Sequence, residues 1–248
     1  GHLMGFSAEG DHVALNAAGR IEVWDVGKRK RDRTYKPDPD FCVDWPLFRS
    51  SGGLSAGGRT LVAADLSGIR VIDLRGGVEL TPWRGHAGPI MASGYTARGE
   101  IVSVGGRTIQ WWDGQSGRPL ASLEAHRGQA CSATLSRQSA TLITADIAGE
   151  VRGWDVQKKE GRWRYRMGQP AMPLLSLTPD GRQLAVFGRH GPNKDAYRLL
   201  NAMNGKEYGR FLFGNTGHGI ALLPGGKRLL HLAGGLHVIA SFNDTRSR

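Results

Sequence analysis

The sequence lacks long apolar runs and is poor in cysteine. No stretch of about 18 consecutive apolar residues occurs in the 248-residue chain, which argues against a transmembrane helix and against a membrane partner. Only two cysteines are present, Cys42 and Cys131, and they form no CxxC pattern. A secreted disulfide framework would usually carry more cysteines. We therefore expect two buried free thiols and a cytoplasmic protein.

Signatures of common enzyme classes are also missing. The chain contains no GxxxxGK[ST] phosphate loop, no HExxH and no zinc-type cysteine spacing, so no cofactor and no metal are predicted. The residues Gly53-Leu54-Ser55-Ala56-Gly57 fit the letters GxSxG. That nucleophile motif requires a strand leading into a helix, whereas Ser55 belongs to a repeated turn. We predict that the protein is not an enzyme.

Acidic residues are outnumbered by basic ones. The chain has 33 Lys and Arg against 22 Asp and Glu, a formal net charge of +11, and 25 of the basic residues are Arg. This balance is typical of nucleic-acid binding. A GC-rich genome produces the same arginine excess without selection for binding, so charge alone does not choose a partner.

The N-terminus carries a sequence that resembles the remnant of a protease cleavage site. Residues Gly1-His2-Leu3-Met4 have this character, so we expect residues 1–4 to be a cloning remnant and residues 5–248 to form one domain. A targeting segment could have preceded the natural sequence, which leaves secretion as an alternative to a cytoplasmic location.

Glycine is abundant and evenly spread. The 37 glycines are roughly twice the average usage, and no low-complexity block holds them. Short turn motifs recur, and their first residues are separated by 48, 41, 40, 42 and 45 positions. The motifs begin at Ser7, Ser55, Thr96, Ser136, Thr178 and Leu223. Each is flanked by stretches typical of strands, which predicts a strand, a turn and a second strand six times.

A second signature follows five of the six turns, after about seventeen residues in four repeats and after a longer loop in the fifth. It closes a third strand in which apolar and polar residues alternate, as in Arg20-Ile21-Glu22-Val23-Trp24-Asp25. The signatures are Trp24-Asp25, Ile72-Asp73, Trp112-Asp113, Trp154-Asp155 and Leu200-Asn201. A glycine-containing turn and a fourth strand come next, and Gly85-His86 or Ala125-His126 opens the following unit.

These turns, Trp-Asp endings and His openings resemble the WD40 repeat family, over essentially the whole chain. The resemblance implies an all-β fold, a WD40-type β-propeller of about six blades. The blades would span approximately 5–40, 41–86, 87–126, 127–168, 169–214 and 215–248. Radial stacking would cover the faces of each sheet.

The last blade is predicted to be incomplete. Its third strand ends near Leu236-His237-Val238-Ile239, and no convincing fourth strand follows. Either this blade has three strands, or Asn243 to Arg248 adds a short edge, or the natural protein is longer. An unpaired edge can pair with another chain, so a homodimer through this blade is one expected assembly.

The resemblance also implies a hydrogen-bonded network of His, Ser or Thr, Asp and Trp within a blade. His126, Thr144 and Trp154 supply three of its parts, but Ala148 stands where the Asp is expected. His86 and Trp112 similarly face Gly105-Gly106. We therefore expect their buried donors to find other partners.

For function, the resemblance implies a non-catalytic scaffold that binds a protein or peptide at its narrow top face. The fifth blade carries a polar insertion there, Gly188 to Asp195, and inserted loops on rigid scaffolds often carry function. The basic residues suggest an acidic partner. The candidate binding residues are Trp45, Arg107, Arg127, Gln129, Arg189, His190 and Lys194, with Asp146 also in a top-face turn.

Two basic stretches support an alternative, nucleic-acid binding through the edges of blades one and four. They are Lys28 to Arg33 and Arg162 to Arg166, and the second interleaves arginines with Trp163 and Tyr165. Solvated edge strands and ordinary inward-facing aromatics explain the same patterns. A propeller enzyme with a site at the channel mouth is a further, less favoured reading.

Overall fold

Most of the chain forms short strands joined by tight turns. The structure is a computed structural model. It describes residues 2–7, 9–17, 19–36, 52–64, 69–80, 85–136, 140–167, 172–191, 194–213, 219–226, 228–232 and 236–239.

Residues 1–130 form one compact unit of three sheets. Sheet 1 contains β1 (His2–Phe6), β2 (His12–Ala17), β3 (Arg20–Asp25) and β4 (Lys30–Tyr35). Sheet 2 contains β5 (Gly52–Leu54), β6 (Thr60–Ala64), β7 (Ile69–Asp73) and β8 (Val78–Glu79). Sheet 3 contains β9 (Ile90–Tyr95), β10 (Ile101–Gly105), β11 (Thr108–Trp112) and β12 (Pro119–Glu124).

Residues 131–248 form a second unit, which holds the other three sheets. Sheet 4 contains β13 (Ala130–Ser136), β14 (Thr141–Asp146), β15 (Glu150–Asp155) and β16 (Glu160–Arg166). Sheet 5 contains β17 (Leu174–Leu177), β18 (Gln183–Gly191), β19 (Lys194–Asn201) and β20 (Glu207–Phe213). Sheet 6 contains β21 (Gly219–Leu222), β22 (Leu229–Leu232) and β23 (Leu236–Ile239).

The prediction of an all-β fold is confirmed. In every described sheet each strand pairs with the next one along the chain, and the described strand pairs are antiparallel. The described residues contain no α-helix, and the one helical turn is a 3₁₀ segment at Ala56–Gly58. Nothing in the described part of the chain is a helix that could cross a membrane.

The first strand, the last sheet and the fifth repeat each bear on an expectation from the sequence. Strand β1 includes residues expected to be a cloning remnant, and Met4 within it is only 3 % exposed. Sheet 6 has three strands among the described residues, and the residues from Asn243 to Arg248 lie outside them. The polar insertion in the fifth repeat is a lengthened hairpin, because Arg189 pairs with Asp195 and Gly191 with Lys194.

Consecutive sheets within a unit pack face to face through alternate residues of their strands. In β3, Ile21 and Val23 are fully buried, whereas Arg20 between the turn and Ile21 is exposed. These two side chains pack with Leu54 and Leu61 of sheet 2. Alternation places every second residue on one face of a strand, so the period-two pattern becomes a core between two sheets.

The same packing recurs in the other sheet pairs. Val62 and Val71 of sheet 2 pack with Ile101 and Trp112 of sheet 3. Two further clusters join sheet 4 to sheet 5 and sheet 5 to sheet 6. Among the described residues, these clusters bury sheet faces against the neighbouring sheet in sequence.

The turn that begins each repeat has one geometry at three of the predicted positions. The hydroxyls of Ser7, Ser55 and Thr178 accept a hydrogen bond from the backbone N–H five residues later, at 3.0, 2.9 and 3.0 Å. The hydroxyl oxygen closes the turn by binding a backbone N–H group, as Ser and Thr side chains do in loops. It explains why a hydroxyl residue recurs at this position.

The second turn, after each third strand, is also repeated. A carboxylate or amide oxygen accepts a backbone N–H two or three residues later, and the fourth residue adopts a positive φ. The acceptors are Asp25, Asp73, Asp113, Asp155 and Asn201, and the fourth residues are Arg29, Gly77, Gly117, Lys159 and Gly205. The backbone hydrogen bonds from Lys28 and Arg75 hold the pKa of Asp25 and of Asp73 below the ordinary value.

Lys159 occupies a backbone conformation that favours glycine, with φ 58°. We expect Lys159→Gly to raise the free energy of unfolding by up to about 1 kcal/mol, because relief of left-handed strain outweighs the added entropy of the unfolded chain. The matched change in the opposite direction is Gly77→Ala. Gly77 has a φ of 63°, and the added Cβ would have room, because the nearest atom, in Tyr35, would lie 4.0 Å away. It should lower the stability by a similar amount. Urea unfolding of both variants measures this, and a destabilised Lys159→Gly would contradict it.

Candidate functional site

Three segments meet at one end of sheet 3. They are the loop before β9 (85–89), the turn between β10 and β11 (105–108) and the segment after β12 (124–130); together they are called the loop end. Gly106 N–H donates to Pro89 O at 3.3 Å, and Gly106 O accepts from Ala130 N–H at 2.7 Å. The central turn is thus bonded to both neighbouring segments.

Glycine allows these segments to approach closely. A Cβ on Gly88 would lie 3.0 Å from Gly106 Cα, and a Cβ on Gly106 would lie 3.3 Å from the carbonyl of Ala87. Gly106 also has a positive φ of 55°. Side chains at either position would separate the loops, so Gly88 and Gly106 serve close backbone packing here.

A hydrogen-bonded chain beneath the loop end connects Trp112 to His86. Trp112 Nε1 donates to Ser103 Oγ at 2.9 Å, and Ser103 Oγ lies 2.7 Å from His86 Nε2. His86 Nδ1 lies 3.0 Å from Gly105 O and 2.9 Å from Thr108 Oγ1. The expectation that these donors find partners other than Asp is therefore confirmed for this sheet.

The network fixes the protonation state of His86. Burial lowers the pKa of His86 to about 4. A neutral imidazole with the proton on Nδ1 donates to Gly105 O and accepts from Ser103, which matches every contact in the chain. His86 is therefore a positioning residue that ties the loop before β9 to β10.

The predicted residues Arg107, Arg127 and Gln129 all lie at the loop end and are exposed. Arg107 is partly engaged, because it pairs with Glu124 and its Nε donates to His126 O at 3.3 Å. Both partners of the ion pair are more than half exposed, and such surface pairs contribute only about 0–1 kcal/mol. The Arg107 guanidinium can thus exchange Glu124 for another carboxylate at small cost.

Sheet 4 has a related arrangement around Trp154. Its Nε1 donates to Thr144 Oγ1 at 2.9 Å, as the family resemblance implied. The turn that follows is closed by Asp146, whose carboxylate accepts the N–H groups of Ala148 and Glu150 at 3.0 and 2.9 Å. Asp146 is 2 % exposed, so it is a structural turn residue and not part of a binding surface. His126, at the loop end of the first unit, is buried.

Trp24 differs from the other two tryptophans although it holds the corresponding place. It pairs across the sheet with Val13, as Trp112 pairs with Ile101 and Trp154 with Leu142. Leu15 stands where Ser103 and Thr144 provide a hydroxyl. Trp24 Nε1 donates instead to Glu22 at 3.0 Å.

The remaining candidates lie in the second unit or outside the described residues. Trp45 lies outside the described residues. Arg189, His190 and Lys194 lie in the β18–β19 hairpin of the second unit, where only the backbone is described.

The structure also describes the contacts of the two basic stretches. Lys28 pairs with Asp25, Arg31 with Glu22, and Arg33 with Asp32, so much of the first stretch faces carboxylates. In β16, Trp163 and Tyr165 pack toward sheet 5, while Arg164 and Arg166 are exposed on the other face.

Residues with chemical reactivity are few in the described part of the chain. Ser55 follows β5, and its hydroxyl accepts the Thr60 N–H in a repeat turn. Burial raises the pKa of the Cys131 thiol to about 12, and Cys42 lies outside the described residues. No group of three His, Cys, Asp or Glu side chains suited to a metal occurs among the residues that are described.

Sequence reasoning missed one cluster. Glu150, Arg152, Arg164 and Arg166 lie together on one face of β15 and β16. Their alternation was visible in the sequence, but their convergence depends on the register between the two strands.

Comparison with models of known protein families found no match for this chain, and a search of curated proteins found no significant match either.

Proposed function

We propose that the chain is a WD40-type β-propeller that acts as a non-catalytic, cytoplasmic scaffold and binds an acidic segment of another protein at its loop ends. The repeated four-stranded sheets and the chain from Trp112 through Ser103 to His86 support the propeller. Repeats of this kind need neighbours to bury their faces, which suits a rigid platform.

One observation carries the binding role. The loop end presents Arg107, Arg127 and Gln129 on a backbone that is held by glycine contacts and by hydrogen bonds to both neighbouring segments. Arginine forms bidentate, charge-assisted hydrogen bonds with carboxylates. A rigid backbone reduces the entropy lost when such bonds form.

A second candidate is nucleic-acid binding, which the exposed Arg164 and Arg166 favour. Single-stranded binding also uses exposed aromatic rings for base stacking. Trp163 and Tyr165 face the core between sheets 4 and 5, so they do not supply that platform. We therefore rank this function second.

Charge reversal at the loop end should abolish binding of an acidic peptide. The double variant Arg107→Glu/Arg127→Glu is expected to lose affinity for a fluorescein-labelled oligo-glutamate peptide, measured by anisotropy, because carboxylate pairing is replaced by repulsion. Its melting temperature should change little, since only an exposed ion pair is lost.

The matched control reverses Lys28, Arg29, Lys30 and Arg31. These residues should contribute only to steering, so this variant should associate more slowly than the native chain, and the difference in association rate should shrink as salt rises. Labelled oligothymidine provides the other arm, because phosphate-dominated binding weakens steeply between about 50 and 200 mM salt. If the control loses peptide binding and the loop-end variant keeps it, the proposed site is wrong.

A further inference from the structure

Three arginines surround one carboxylate on a face of sheet 4, and this group is called the arginine cluster. Arg152 pairs with Glu150 Oε1, Arg164 Nε lies 3.2 Å from the same oxygen, and Arg166 Nη2 lies 3.9 Å from Oε2. Glu150 is 15 % exposed and Arg152 is 18 % exposed. Arg164 and Arg166 are 55 % and 76 % exposed.

Strand register and packing hold the inner part of the cluster in place. Glu150 pairs with Arg166 and Arg152 with Arg164 across β15 and β16, which brings the four side chains to one face. The Arg152 guanidinium carbon lies 5.8 Å from the Trp154 ring centroid, within the range of a cation–π contact. Glu150 itself follows the Asp146 turn and donates its N–H to that carboxylate. The outer arginines thus project from a preorganised base.

The charges do not balance within the cluster. Three guanidinium groups carry +3 and Glu150 carries −1, which leaves +2. Each guanidinium has five N–H donors, far more than one carboxylate can accept. A phosphoserine carries about −1.5 to −2 at neutral pH and three strong acceptor oxygens.

We propose that Arg164 and Arg166 bind the phosphoryl group of a phosphorylated serine or threonine in the partner protein. This inference rests on the proposed scaffold function and adds the chemical class of the segment that is recognised. Glu150 is a positioning residue: it holds Arg164 and Arg166 beside each other, and a bound phosphoryl group contacts the outer N–H donors of both.

Two other anions fit the cluster less well. A carboxylate side chain carries −1 and would neutralise only half of the excess charge. A nucleic acid presents phosphodiesters of −1 each along a track and gains affinity from base stacking. The cluster is a single focus of charge, and the neighbouring rings of β16 are turned inward.

The experiment uses the ¹⁵N-labelled full chain and follows its arginine Nε–Hε signals by NMR. The probe is an acetylated glycyl-phosphoseryl-glycine amide, compared with the glycyl-glutamyl-glycine peptide and with a short oligothymidine. We expect a saturable shift of the Arg164 and Arg166 signals with the phosphopeptide, at lower concentration than with the glutamyl peptide.

The test variant is Arg164→Lys/Arg166→Lys, which keeps the charge and removes the planar fork of donors. Affinity for the phosphopeptide should fall about tenfold or more. The matched control is Arg210→Lys, because Arg210 is an exposed arginine that binds a single carboxylate, Glu207, with Nε–Oε1 at 2.8 Å and Nη2–Oε2 at 3.1 Å. Phosphopeptide binding should be unchanged in that variant.

Each alternative result has a definite meaning. Equal shifts with the phosphoseryl and glutamyl peptides would overturn the phosphate assignment, while the loop-end variants still decide the scaffold function on their own. Stronger binding of oligothymidine, lost in the double-lysine variant, would overturn the protein partner at this cluster in favour of nucleic acid. Unchanged binding in the double-lysine variant would show that general charge density, not the paired guanidinium groups, attracts the peptide. Equal loss in the Arg210 control would show that the effect is not specific to the cluster.

Discussion

Replacing Trp154 by alanine is expected to lower the free energy of unfolding by about 3–5 kcal/mol, the range for a buried large aromatic side chain. Trp154 is 4 % exposed, and its indole N–H donates to Thr144. The change leaves a cavity and removes the hydrogen bond that the Thr144 hydroxyl accepts from the indole. Urea unfolding followed by circular dichroism measures the loss.

Two further substitutions separate packing from hydrogen bonding. Trp154→Phe keeps most of the ring volume and loses the bond to Thr144, so its cost should be nearer 1 kcal/mol. Trp24→Ala removes a corresponding but half-buried tryptophan and should cost less than Trp154→Ala. Equal costs for the two alanine variants would show that burial does not set the difference.

Mild acid should destabilise the protein through His86. Its pKa is lowered to about 4 in the folded state, against an ordinary value of 6.5, because burial disfavours the charged imidazole. A depressed folded pKa means that the unfolded chain takes up the proton first. The contribution of neutral His86 to the free energy of unfolding therefore has its full value above about pH 6.5 and declines as the pH falls toward 4. The full loss is roughly 3 kcal/mol.

The variant His86→Gln isolates this effect. It should be less stable than the native chain at pH 7.5, and its stability should change less between pH 7.5 and pH 4.5 on denaturant titration. The carboxylates of the repeated turns also have lowered pKa values, as at Asp25 and Asp73, but they act at still lower pH. Identical pH slopes for variant and native chain would contradict the role assigned to His86.

Much of the fold could be predicted because local chemistry determines it. The hydroxyl of Ser7 or Thr178 closes one turn and the carboxylate of Asp113 closes the other, so turns can be located from single residues. Alternation between these turns then assigns strand faces. The hairpin at Arg189 was misjudged because its polar residues resemble a loop, although they continue the strand pairing.

The candidate site was predictable only in part. Repeat register placed Arg107, Arg127 and Gln129 in the correct loops, since each follows a known strand. Register did not reveal that Arg107 already pairs with Glu124, because that contact depends on where β12 ends against β11. The convergence of Arg164 and Arg166 on Glu150 depends likewise on pairing between strands.

The consecutive pairing of strands has an evolutionary consequence. No backbone ladder in any described sheet joins strands that are distant in sequence, so each sheet is a self-contained segment of the gene. Duplication or deletion of one whole segment would add or remove a layer without breaking the hydrogen bonds of the others. Because the sheets share no backbone ladder, the spacings of the six turns can differ, from 40 to 48 residues, without altering the strand pairing of the neighbouring sheets.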